Sequence, residues 1–409
     1  MLTPTDITAI RADFPILDQK INGRPLVYLD NAATSQTPQQ VIDTSARYYK
    51  EINSNIHRGV HKLAQAATAA HEAARETIQR HLNAVRPEEI VFTSGTTDSI
   101  NLVTNALTLS RKITADDEIL ISGLEHHSNI VPWQMLCQQT GATLKIIPVL
   151  DDGSLDQNAF HELLNERTKV LAVNQVSNAL GTINPVKEMI AAAKKFGALT
   201  LIDGAQSIPH MPVDMQDLDC DFFAFSGHKI FGPTGIGILY GKHALLEQLP
   251  PWRGGGEMIK EVTFEHTTYN DPPFKYEAGT PNIEGGIALA AALDYANAIG
   301  MDAIAAHEHT LVIAATAAIQ EIDGVKIYGT SSSKASVLSF NLEGVHHYDL
   351  GALIDQMGVA VRTGHHCCQP LMARFGITGT VRASFAVYNT EAEVEQFIAA
   401  VKKAAMMLR

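Results

Sequence analysis

The sequence of 409 residues has little positive charge, and that charge is not concentrated. It contains 31 Lys and Arg residues against 44 Asp and Glu residues, which gives a formal net charge of −13. Proteins that bind nucleic acid neutralise the phosphate backbone with a basic patch or stripe. Because the basic residues of this chain are scattered, we expect no nucleic-acid partner.

Long apolar runs and cysteine motifs are also missing. No hydrophobic run reaches the roughly 20 residues that span a bilayer, and the first segment, MLTPTDITAIRADFPIL, lacks the basic start of a secretory leader. The four cysteines show neither CxxC nor paired metal-ligand spacing, and a disulfide framework does not suit a chain of this size. We therefore expect a cytoplasmic protein with reduced thiols, no membrane partner and no bound metal.

Short β-rich runs alternate with helix-like segments from about residue 88 onward. The runs are EIVFT, EILIS, LKIIPV, KVLAVNQV, LTLID, DFFAFS and GIGILY. This alternation predicts an α/β domain with a mostly parallel, seven-stranded sheet covered by helices. After about residue 300 the order becomes typical of a smaller α+β domain. We predict an N-terminal segment at 1–25 that joins the small domain, a large domain at 26–290 and the small domain at 291–409.

A lone lysine, Lys229, follows the strand DFFAFS in the stretch FSGHKIFGPTGIG. A loop lysine is most often simply solvated, but functional side chains in parallel sheets gather at the carboxyl ends of the strands. The preceding strand, LTLID, ends at Asp203, and Gln206 follows one turn later. An acid at that position often caps a helix, so the neighbouring motifs decide between the two interpretations.

The stretch VFTSGTTDSIN predicts a strand, a turn of small residues and the start of a helix. Free backbone N–H groups and the hydroxyls of Ser94, Thr96 and Thr97 would form an anion cradle at the helix N-terminus. The stretch is not GxGxxG and lacks the lysine of a nucleotide-binding P-loop. It therefore suits a single phosphate better than a nucleotide.

A phosphate cradle, an acid and a lysine at successive strand ends together match the needs of pyridoxal phosphate (PLP). The lysine forms a Schiff base with the aldehyde, and the acid keeps the ring nitrogen protonated. Apolar flanks should lower the pKa of Lys229. Ser226 and His228 lie beside Lys229, within reach of the phosphate, and His126 in SGLEHHSNIVPW could stack on the ring.

Eight segments resemble those of class V aminotransferase-like, fold-type I PLP enzymes, and among these the Suf-type cysteine desulfurases and selenocysteine lyases. They are LDNAAT, the phosphate turn, EHHSNIVPW, NQVSNALGTINP, DGAQS, FSGHKIFGPTGIG, EAGTPN and RTGHHCCQPLM. The resemblance implies that one set of residues binds the cofactor: Lys229, Asp203, Gln206, His126, Thr96, Thr97, Ser226 and His228. It also implies that Thr280 contacts the phosphate of a neighbouring subunit, and hence a homodimer.

The same resemblance implies the catalytic and substrate residues. Cys367 matches the nucleophile, and Lys229 and His126 act with it in proton transfer. Substrate ligands are expected to be Arg382, which grips the carboxylate, together with Asn178 and Arg362.

Cys367 has surroundings that favour this role, since Arg362, His365 and His366 would supply cations that favour its thiolate. Cys368 departs from the family, which usually has a small residue there. Two adjacent residues on an extended loop point in opposite directions, so only Cys367 should face the cofactor.

The implied activity is conversion of L-cysteine to L-alanine, with a persulfide on Cys367 and transfer of the sulfur to an acceptor protein for iron–sulfur cluster assembly. A selenocysteine lyase acting on L-selenocysteine is an alternative. A class V aminotransferase is another, and it would not need Cys367. The non-enzymatic alternative is a PLP-binding scaffold.

Overall fold

The computed structural model describes residues 2–409, in which helices pack against a large and a small β-sheet. The α-helices are α1 Pro4–Ala12, α2 Gln39–Arg47, α3 Lys62–His81, α4 Thr96–Ser110, α5 Val131–Thr140, α6 Gln157–Leu163, α7 Val186–Lys194, α8 Met215–Leu218, α9 His243–Gln248, α10 Ile283–Ile299, α11 Met301–Gln320, α12 His347–Gln356, α13 Gln369–Arg374 and α14 Glu391–Leu408. The strands are β1 Lys20–Ile21, β2 Arg24–Pro25, β3 Val27–Tyr28, β4 Ile90–Thr93, β5 Glu118–Ser122, β6 Thr143–Ile147, β7 Thr168–Asn174, β8 Leu199–Asp203, β9 Phe222–Ser226, β10 Gly237–Gly241, β11 Ile259–Val262, β12 Thr267–Tyr269, β13 Val325–Tyr328, β14 Val337–Leu342, β15 Val359–Ala360, β16 Arg362–Gly364 and β17 Thr380–Ser384.

Within residues 2–409 the large sheet has seven strands in the order β4-β10-β9-β8-β7-β5-β6. Its strands are parallel except β10, which runs antiparallel to both β4 and β9. Every residue of β4, β5 and β9 is buried, because helices cover both faces of the sheet. The seven β-rich runs of the sequence correspond to these strands, so the predicted sheet is confirmed.

The small sheet is antiparallel, with the order β13-β14-β17-β16. Helices α11 and α12 pack against it, and α14 packs against both helices, with the Phe397 ring 5.9 Å from the Phe340 ring of β14. Its core is separate from that of the large sheet and includes Leu338, Phe340, Leu350, Val381 and Phe397. This arrangement is the α+β unit expected from the sequence.

The packing of two segments bears on where the two units divide. Position 290 lies inside α10, and Leu293 and Ala296 on that helix pack in the core of the large sheet. Val27 and Leu29 pack instead in the core of the small sheet, because β3 pairs in parallel with β15. We therefore propose that the C-terminal division lies at Gly300, between α10 and α11, and that the N-terminal segment joining the small domain runs to Leu29. Residue 1 lies outside the described range.

Helix α10 is the most apolar long helix, and packing accounts for its composition. It lies against α2 and α3, with nine of its residues buried. No single helix among residues 2–409 is long and apolar enough to cross a bilayer; α10 and α11 meet that test only as a pair bent by 75°.

A buried ion pair fixes α3 to the large sheet. Arg75 is only 2% exposed, and its Nη1 and Nη2 donate to the Glu277 carboxylate over 2.7 and 2.9 Å. The same carboxylate accepts from the Phe92 backbone N–H at 2.8 Å, and the Arg75 guanidinium lies 4.5 Å from the centre of the Phe92 ring. One carboxylate thus connects α3, β4 and the segment after β12.

We predict that Glu277→Gln lowers the free energy of unfolding by about 3–5 kcal/mol, because it leaves a buried guanidinium without its main counter-charge. Equilibrium urea denaturation measures the loss. Glu76→Gln is the matched control, since the Glu76–Arg80 pair is exposed and 3.8 Å long, and its effect should stay within about 0.5 kcal/mol. Equal losses in the two variants would contradict this account.

Candidate active site

The carboxyl ends of the central strands open into one cavity of about 240 Å³. Residues at and after the ends of the large-sheet strands line one side of this cavity. Residues from β16, β17 and the loop between them line the other side. The residues predicted from the sequence that line this cavity are Thr96, Thr97, His126, Asn178, Asp203, Gln206, Ser226, His228, Lys229, Arg362, Cys367 and Arg382. Residues far apart in the chain are thus brought together as expected, with two exceptions: Ser94, which is exposed and does not line the cavity, and Thr280.

Lys229 ends the short 3-10 turn Gly227–Lys229 that follows β9. Burial lowers the pKa of its amine to about 8, the carboxylate of Asp203 opposes that shift, and the charge of Arg382 adds to it. At pH 7 about a tenth of such an amine is uncharged, far more than for an ordinary lysine. The amine is therefore available as a nucleophile and a proton acceptor near neutral pH.

Asp203 and Gln206 face the same cavity from the end of β8 and the turn after it. Asp203 is buried, which raises the pKa of its carboxyl; the Ala205 backbone N–H, which donates to Oδ1 at 3.0 Å, and the charge of Lys229 oppose the rise. Gln206 Nε2 donates to the Ala32 carbonyl at 2.7 Å, whereas its Oε1 is buried without a hydrogen-bond partner. A cationic group on a bound ligand would pair with the Asp203 carboxylate, and a hydrogen-bond donor on the ligand would satisfy Gln206 Oε1.

The N-terminus of α4 forms the predicted anion cradle. Gly95 precedes it at φ 151°, and Thr96 N–H donates to Ser226 Oγ at 2.8 Å. A Cβ at Gly237 would lie 2.3 Å from the Gly95 Cα. Strand β10 can therefore approach this turn only because position 237 is glycine. The close approach places Ser226 and the first N–H groups of a 15-residue helix at one end of the cavity, where the helix dipole favours an anion.

Two histidines in the cavity are uncharged near neutral pH. Burial, reinforced by the charge of Lys229, lowers the pKa of His126 to about 3 and that of His228 to about 4. The Ser128 backbone N–H donates to His126 Nδ1 at 3.1 Å. Because Nδ1 is thereby an acceptor, the ring proton of His126 is on Nε2.

Cys367 and Cys368 differ sharply in their surroundings. Cys367 lines the cavity and is partly exposed, whereas Cys368 is completely buried and its Sγ donates to Asn178 Oδ1 at 3.2 Å. Burial raises the pKa of the Cys368 thiol to about 12. The expectation that Cys367 alone faces the cavity therefore agrees with the structure.

The backbone reason given for that contrast is wrong, however. His366 and Cys367 have φ values of 50° and 56°, so this loop is left-handed and not extended. The Cys367 carbonyl accepts from the His127 backbone N–H at 2.8 Å, which fixes the loop to the segment after β5.

The role expected for His366 as a cation is also wrong. Its ring is buried, with Nε2 2.8 Å from Thr380 Oγ1. Burial, together with the charges of Arg382 and Arg362, holds the pKa of His366 well below its usual value. The ring is therefore neutral at pH 7 and adds no positive charge beside Cys367.

Two guanidinium groups lie at the small-domain side of the cavity. Arg382 is 2% exposed; its Nη1 donates to the Asn178 carbonyl at 2.8 Å, and its Nε is buried without a partner. Asn178 Nδ2 in turn donates to the His366 carbonyl at 2.7 Å. Arg362 is more exposed and lies on the neighbouring strand, paired directly with Arg382 in the sheet register. This is a cationic surface with an unused N–H donor, suited to a carboxylate.

Two acidic residues at this site were not identified from the sequence. Glu125 is buried directly before His126, accepts from Asn129 Nδ2 at 2.7 Å and from the Asn174 N–H at 3.0 Å, and has its pKa raised by burial to about 8. Asp30 contacts Arg382 from outside the cavity. Both belong to segments used for the resemblance, EHHSNIVPW and LDNAAT. In each case an acidic residue directly follows an apolar run, and that pattern could have identified it as a candidate site residue.

Thr280 does not reach this cavity. It is exposed on its own chain and lines a separate surface cavity of about 390 Å³, together with Tyr49, Asn53 and Asn55.

Comparisons with known proteins agree with this geometry. A family model described as aminotransferase class-V matches residues 27–397. A cysteine desulfurase of Synechococcus elongatus is 52% identical over 398 residues, which cover 97% of this chain and 63% of that relative. A cysteine desulfurase of Pectobacterium carotovorum subsp. carotovorum is 49% identical over 398 residues, which cover 97% of each chain. The chain thus spans less than two thirds of the first relative and nearly all of the second.

Two solved structures share the fold. The cysteine desulfurase CsdA from Escherichia coli, described as S-sulfonic acid, superposes with a TM-score of 0.91 at 41% identity, covering 98% of this chain and 99% of that one. The apo cysteine desulfurase of Thermococcus onnurineus NA1 superposes with a TM-score of 0.93 at 40% identity, covering 100% and 99%. These likenesses confirm the predicted fold-type I arrangement.

We predict that the Lys229 amine is half-deprotonated near pH 8 in protein freed of carbonyl ligands with hydroxylamine. Trace labelling with acetic anhydride across a pH series, read by mass spectrometry, measures this. Asp203→Asn should move the Lys229 midpoint to lower pH, because the Asp203 carboxylate stabilises the ammonium form.

The exposed Lys50 in the same digests is the internal reference, and its labelling should not differ between the two proteins. A Lys229 midpoint that rises in Asp203→Asn, or does not move, would contradict the electrostatic role of Asp203.

Proposed function

This chain belongs to the aminotransferase class-V family, and we propose that it is a PLP-dependent cysteine desulfurase that converts L-cysteine to L-alanine. The observation that carries the proposal is that Cys367 lines the same cavity as Lys229, Asp203 and Arg382. A class V aminotransferase would use the lysine, the acid and the arginine but gives no reason for a cysteine at this position. A PLP-binding scaffold gives no reason for the substrate-binding arginines either.

The residues present fit the cofactor. The unpaired Gln206 Oε1 would accept from a ring hydroxyl, Asp203 would pair with a ring nitrogen, and the cradle of Thr96, Thr97 and Ser226 would hold a phosphate. His228, which is neutral, would add a hydrogen bond at the same end, and His126 would lie against the ring. When bound, PLP supplies an electron sink for the α-carbon of an amino acid.

The chain's own groups supply the proton transfers. Lys229 Nζ, with its pKa of about 8, exchanges a proton readily near neutral pH and is the base for the substrate α-proton. His126 holds a proton on Nε2 and is placed to pass one to or from the substrate. Arg382, with Asn178 and Arg362, holds the substrate carboxylate so that its α-carbon stays within reach of Lys229.

Cys367 takes the sulfur. Its thiolate attacks the substrate sulfur and the substrate C–S bond breaks, which leaves the electron pair of that bond on the β-carbon. The β-carbon takes up a proton, for which His126 is the donor, and the α-carbon takes back the proton that Lys229 removed. The products are L-alanine and a persulfide on Cys367, and a thiol of an acceptor protein then takes the outer sulfur. L-selenocysteine would fit the same geometry as the alternative substrate, with selenium in place of sulfur.

Partners and setting form the finer part of the proposal. Thr280 is exposed on its own chain and would complete the phosphate site of a second copy, so we propose a homodimer. The acceptor thiol must reach the partly exposed Cys367, and the short RTGHHCC loop favours a Suf-type enzyme that depends on a dedicated acceptor. We propose that this enzyme works in the cytoplasm and supplies sulfur for iron–sulfur clusters.

The test is turnover of L-cysteine by the PLP-loaded protein, with alanine and sulfide measured in the presence of a thiol reductant. Cys367→Ser should lose at least about 99% of sulfide release, because a hydroxyl cannot carry the sulfur, while binding of L-cysteine, seen in the cofactor's visible spectrum, persists. Lys229→Ala should lose turnover and the lysine-linked absorbance.

Cys368→Ala is the matched control, and it should keep activity within about threefold because a buried thiol of high pKa is not a nucleophile. Mass spectrometry after a single turnover without reductant should place the added sulfur on Cys367. Sulfur on Cys368, or full activity in Cys367→Ser, would overturn the mechanism, and alanine without sulfide or persulfide would overturn the proposed function.

A further inference from the structure

Ser35 lies directly after the LDNAAT segment and against the turn that carries Lys229. It is 6% exposed and does not line the cavity. Its backbone N–H donates to the His228 carbonyl at 3.0 Å, and its Oγ donates to the same oxygen at 3.3 Å. Thr34 Oγ1 donates to that oxygen as well, at 3.0 Å. Because this carbonyl belongs to the peptide unit that leads into Lys229, these contacts fix the backbone immediately before the lysine.

The Ser35 hydroxyl also holds the chain after the lysine. The Phe231 backbone N–H donates to Ser35 Oγ at 2.7 Å. Phe231 is 1% exposed, and within residues 2–409 no other acceptor takes this N–H. We call this bridge, from the His228 carbonyl through Ser35 Oγ to the Phe231 N–H, the serine clamp. It is one hydroxyl that fixes the turn on both sides of Lys229.

Phe231 depends on the clamp because its backbone is left-handed. Its φ is 63°, a conformation that residues other than glycine keep only where surrounding contacts enforce it. The ring is held by Phe14 and Tyr295, with ring centres 5.7 and 6.1 Å away. The backbone is held by the hydrogen bond to Ser35 Oγ. Without that hydroxyl a buried N–H would lose its partner, which is costly, so we expect the turn to relax.

The segment that presents Ser35 is fixed to two other parts of the site. The Ala32 N–H donates at 2.8 Å to Ser384 Oγ, two residues after Arg382 in the chain. The Ala32 carbonyl accepts from Gln206 Nε2 at 2.7 Å. The strand that carries Arg382 and the turn that carries Gln206 therefore set the position of Ser35. A clamp anchored in this way fixes the lysine relative to both.

We infer that Ser35 is a positioning residue that holds Lys229 where its amine exchanges a proton with the α-carbon of a bound amino acid. A displacement of about 1 Å can lower the rate of such a step about a hundredfold. A relaxed turn would move Lys229 Nζ without removing it. The inference rests on the proposed function for the role of Lys229, and it adds a residue that lies outside the segments of the resemblance.

The first measurement is deuterium exchange of the Phe231 amide in the PLP-loaded protein, read by mass spectrometry with fragmentation to single residues. In Ser35→Ala this amide should exchange at least about tenfold faster than in the unmodified protein, because its acceptor is lost. Unchanged protection of the Phe231 amide would show that the clamp does not hold the turn and would overturn the inference.

The second measurement is loss of the α-proton of L-alanine in D₂O, followed by NMR. In Ser35→Ala the rate at saturating L-alanine should fall about tenfold per PLP-loaded site, counted from the lysine-linked absorbance. The half-saturating concentration should change less than about threefold, because Ser35 makes no hydrogen bond to Arg382 or Asn178. A smaller folded fraction would not change a rate counted per loaded site.

A rate per loaded site that stays within about twofold of the unmodified protein would overturn the inference even if the Phe231 amide exchanges faster. Ser35 would then hold the turn without positioning the amine of Lys229. The α-proton exchange needs Lys229 but not Cys367, so it does not depend on the release of sulfide. Failure of this inference and failure of L-cysteine turnover are therefore separate results.

Thr168→Val is the matched control. Thr168 is 1% exposed; its backbone N–H donates to the Asn165 carbonyl at 2.9 Å, and its Oγ1 accepts from the Asn165 N–H at 3.2 Å. It thus makes a similar double contact at the first residue of β7, at the end of the strand away from the cavity. Both measurements should stay unchanged in this variant. Losses equal to those of Ser35→Ala would contradict a specific role for Ser35.

Ser35→Cys keeps the inference testable if Ser35→Ala folds poorly. A thiol is close in size to the hydroxyl but is a weak hydrogen-bond acceptor. The Phe231 amide should therefore exchange faster and the α-proton of L-alanine more slowly, each by less than in Ser35→Ala. Values equal to those of the unmodified protein in both measurements would overturn the inference.

Discussion

The burial of Lys229 next to Asp203 and Arg382 is the constraint on which the chemistry of this protein depends. In water a lysine amine is almost wholly protonated at pH 7, and a carboxyl is almost wholly ionised. In this cavity desolvation moves both pKa values toward the neutral forms, and the attraction between the two groups partly restores their charges. The balance leaves an amine that exchanges its proton near neutral pH and an acid that a cationic ligand would ionise. The parallel sheet makes this possible, because β8 and β9 end at the same edge.

The geometry of the site also depends on contacts between the two units of the chain. Arg382 and Cys367 belong to the small domain, and each is held by the large one: Arg382 through the Asn178 carbonyl, and the Cys367 loop through the His127 N–H. Asp30 adds a third connection, since it follows a strand that pairs with the small domain. The catalytic geometry therefore depends on how the two units are packed against each other. A substitution at that junction would disturb the site without touching the cofactor residues.

The sequence is a good guide wherever one strong local pattern decides the outcome. Buried strands read as apolar runs, and side chains at their carboxyl ends meet at one edge, so the sheet and the positions of Asp203 and Lys229 follow from pattern alone. The core to which α10 belongs does not, because buried residues are spread along most of this apolar helix and only its packing shows which core it joins. The neutrality of His366 depends on its burial. The pairing of Asp30 with Arg382 depends on a partner more than 300 residues away in the chain. No local pattern contains either fact.

Cys367 and Cys368 show how far environment outweighs residue type. They are chemically identical and adjacent, yet one is partly exposed at the cavity while the other is buried and hydrogen-bonded to Asn178. Their difference arises from two successive left-handed residues, His366 and Cys367, which turn the chain so that the second thiol enters the core. A left-handed conformation is costly for residues other than glycine and persists only where surrounding contacts enforce it. Here the enforcing contacts are the hydrogen bonds of His366 to Thr380 and of the Cys367 carbonyl to His127. The neutral, buried His366 thus contributes to the site through the conformation that it stabilises and not through a charge.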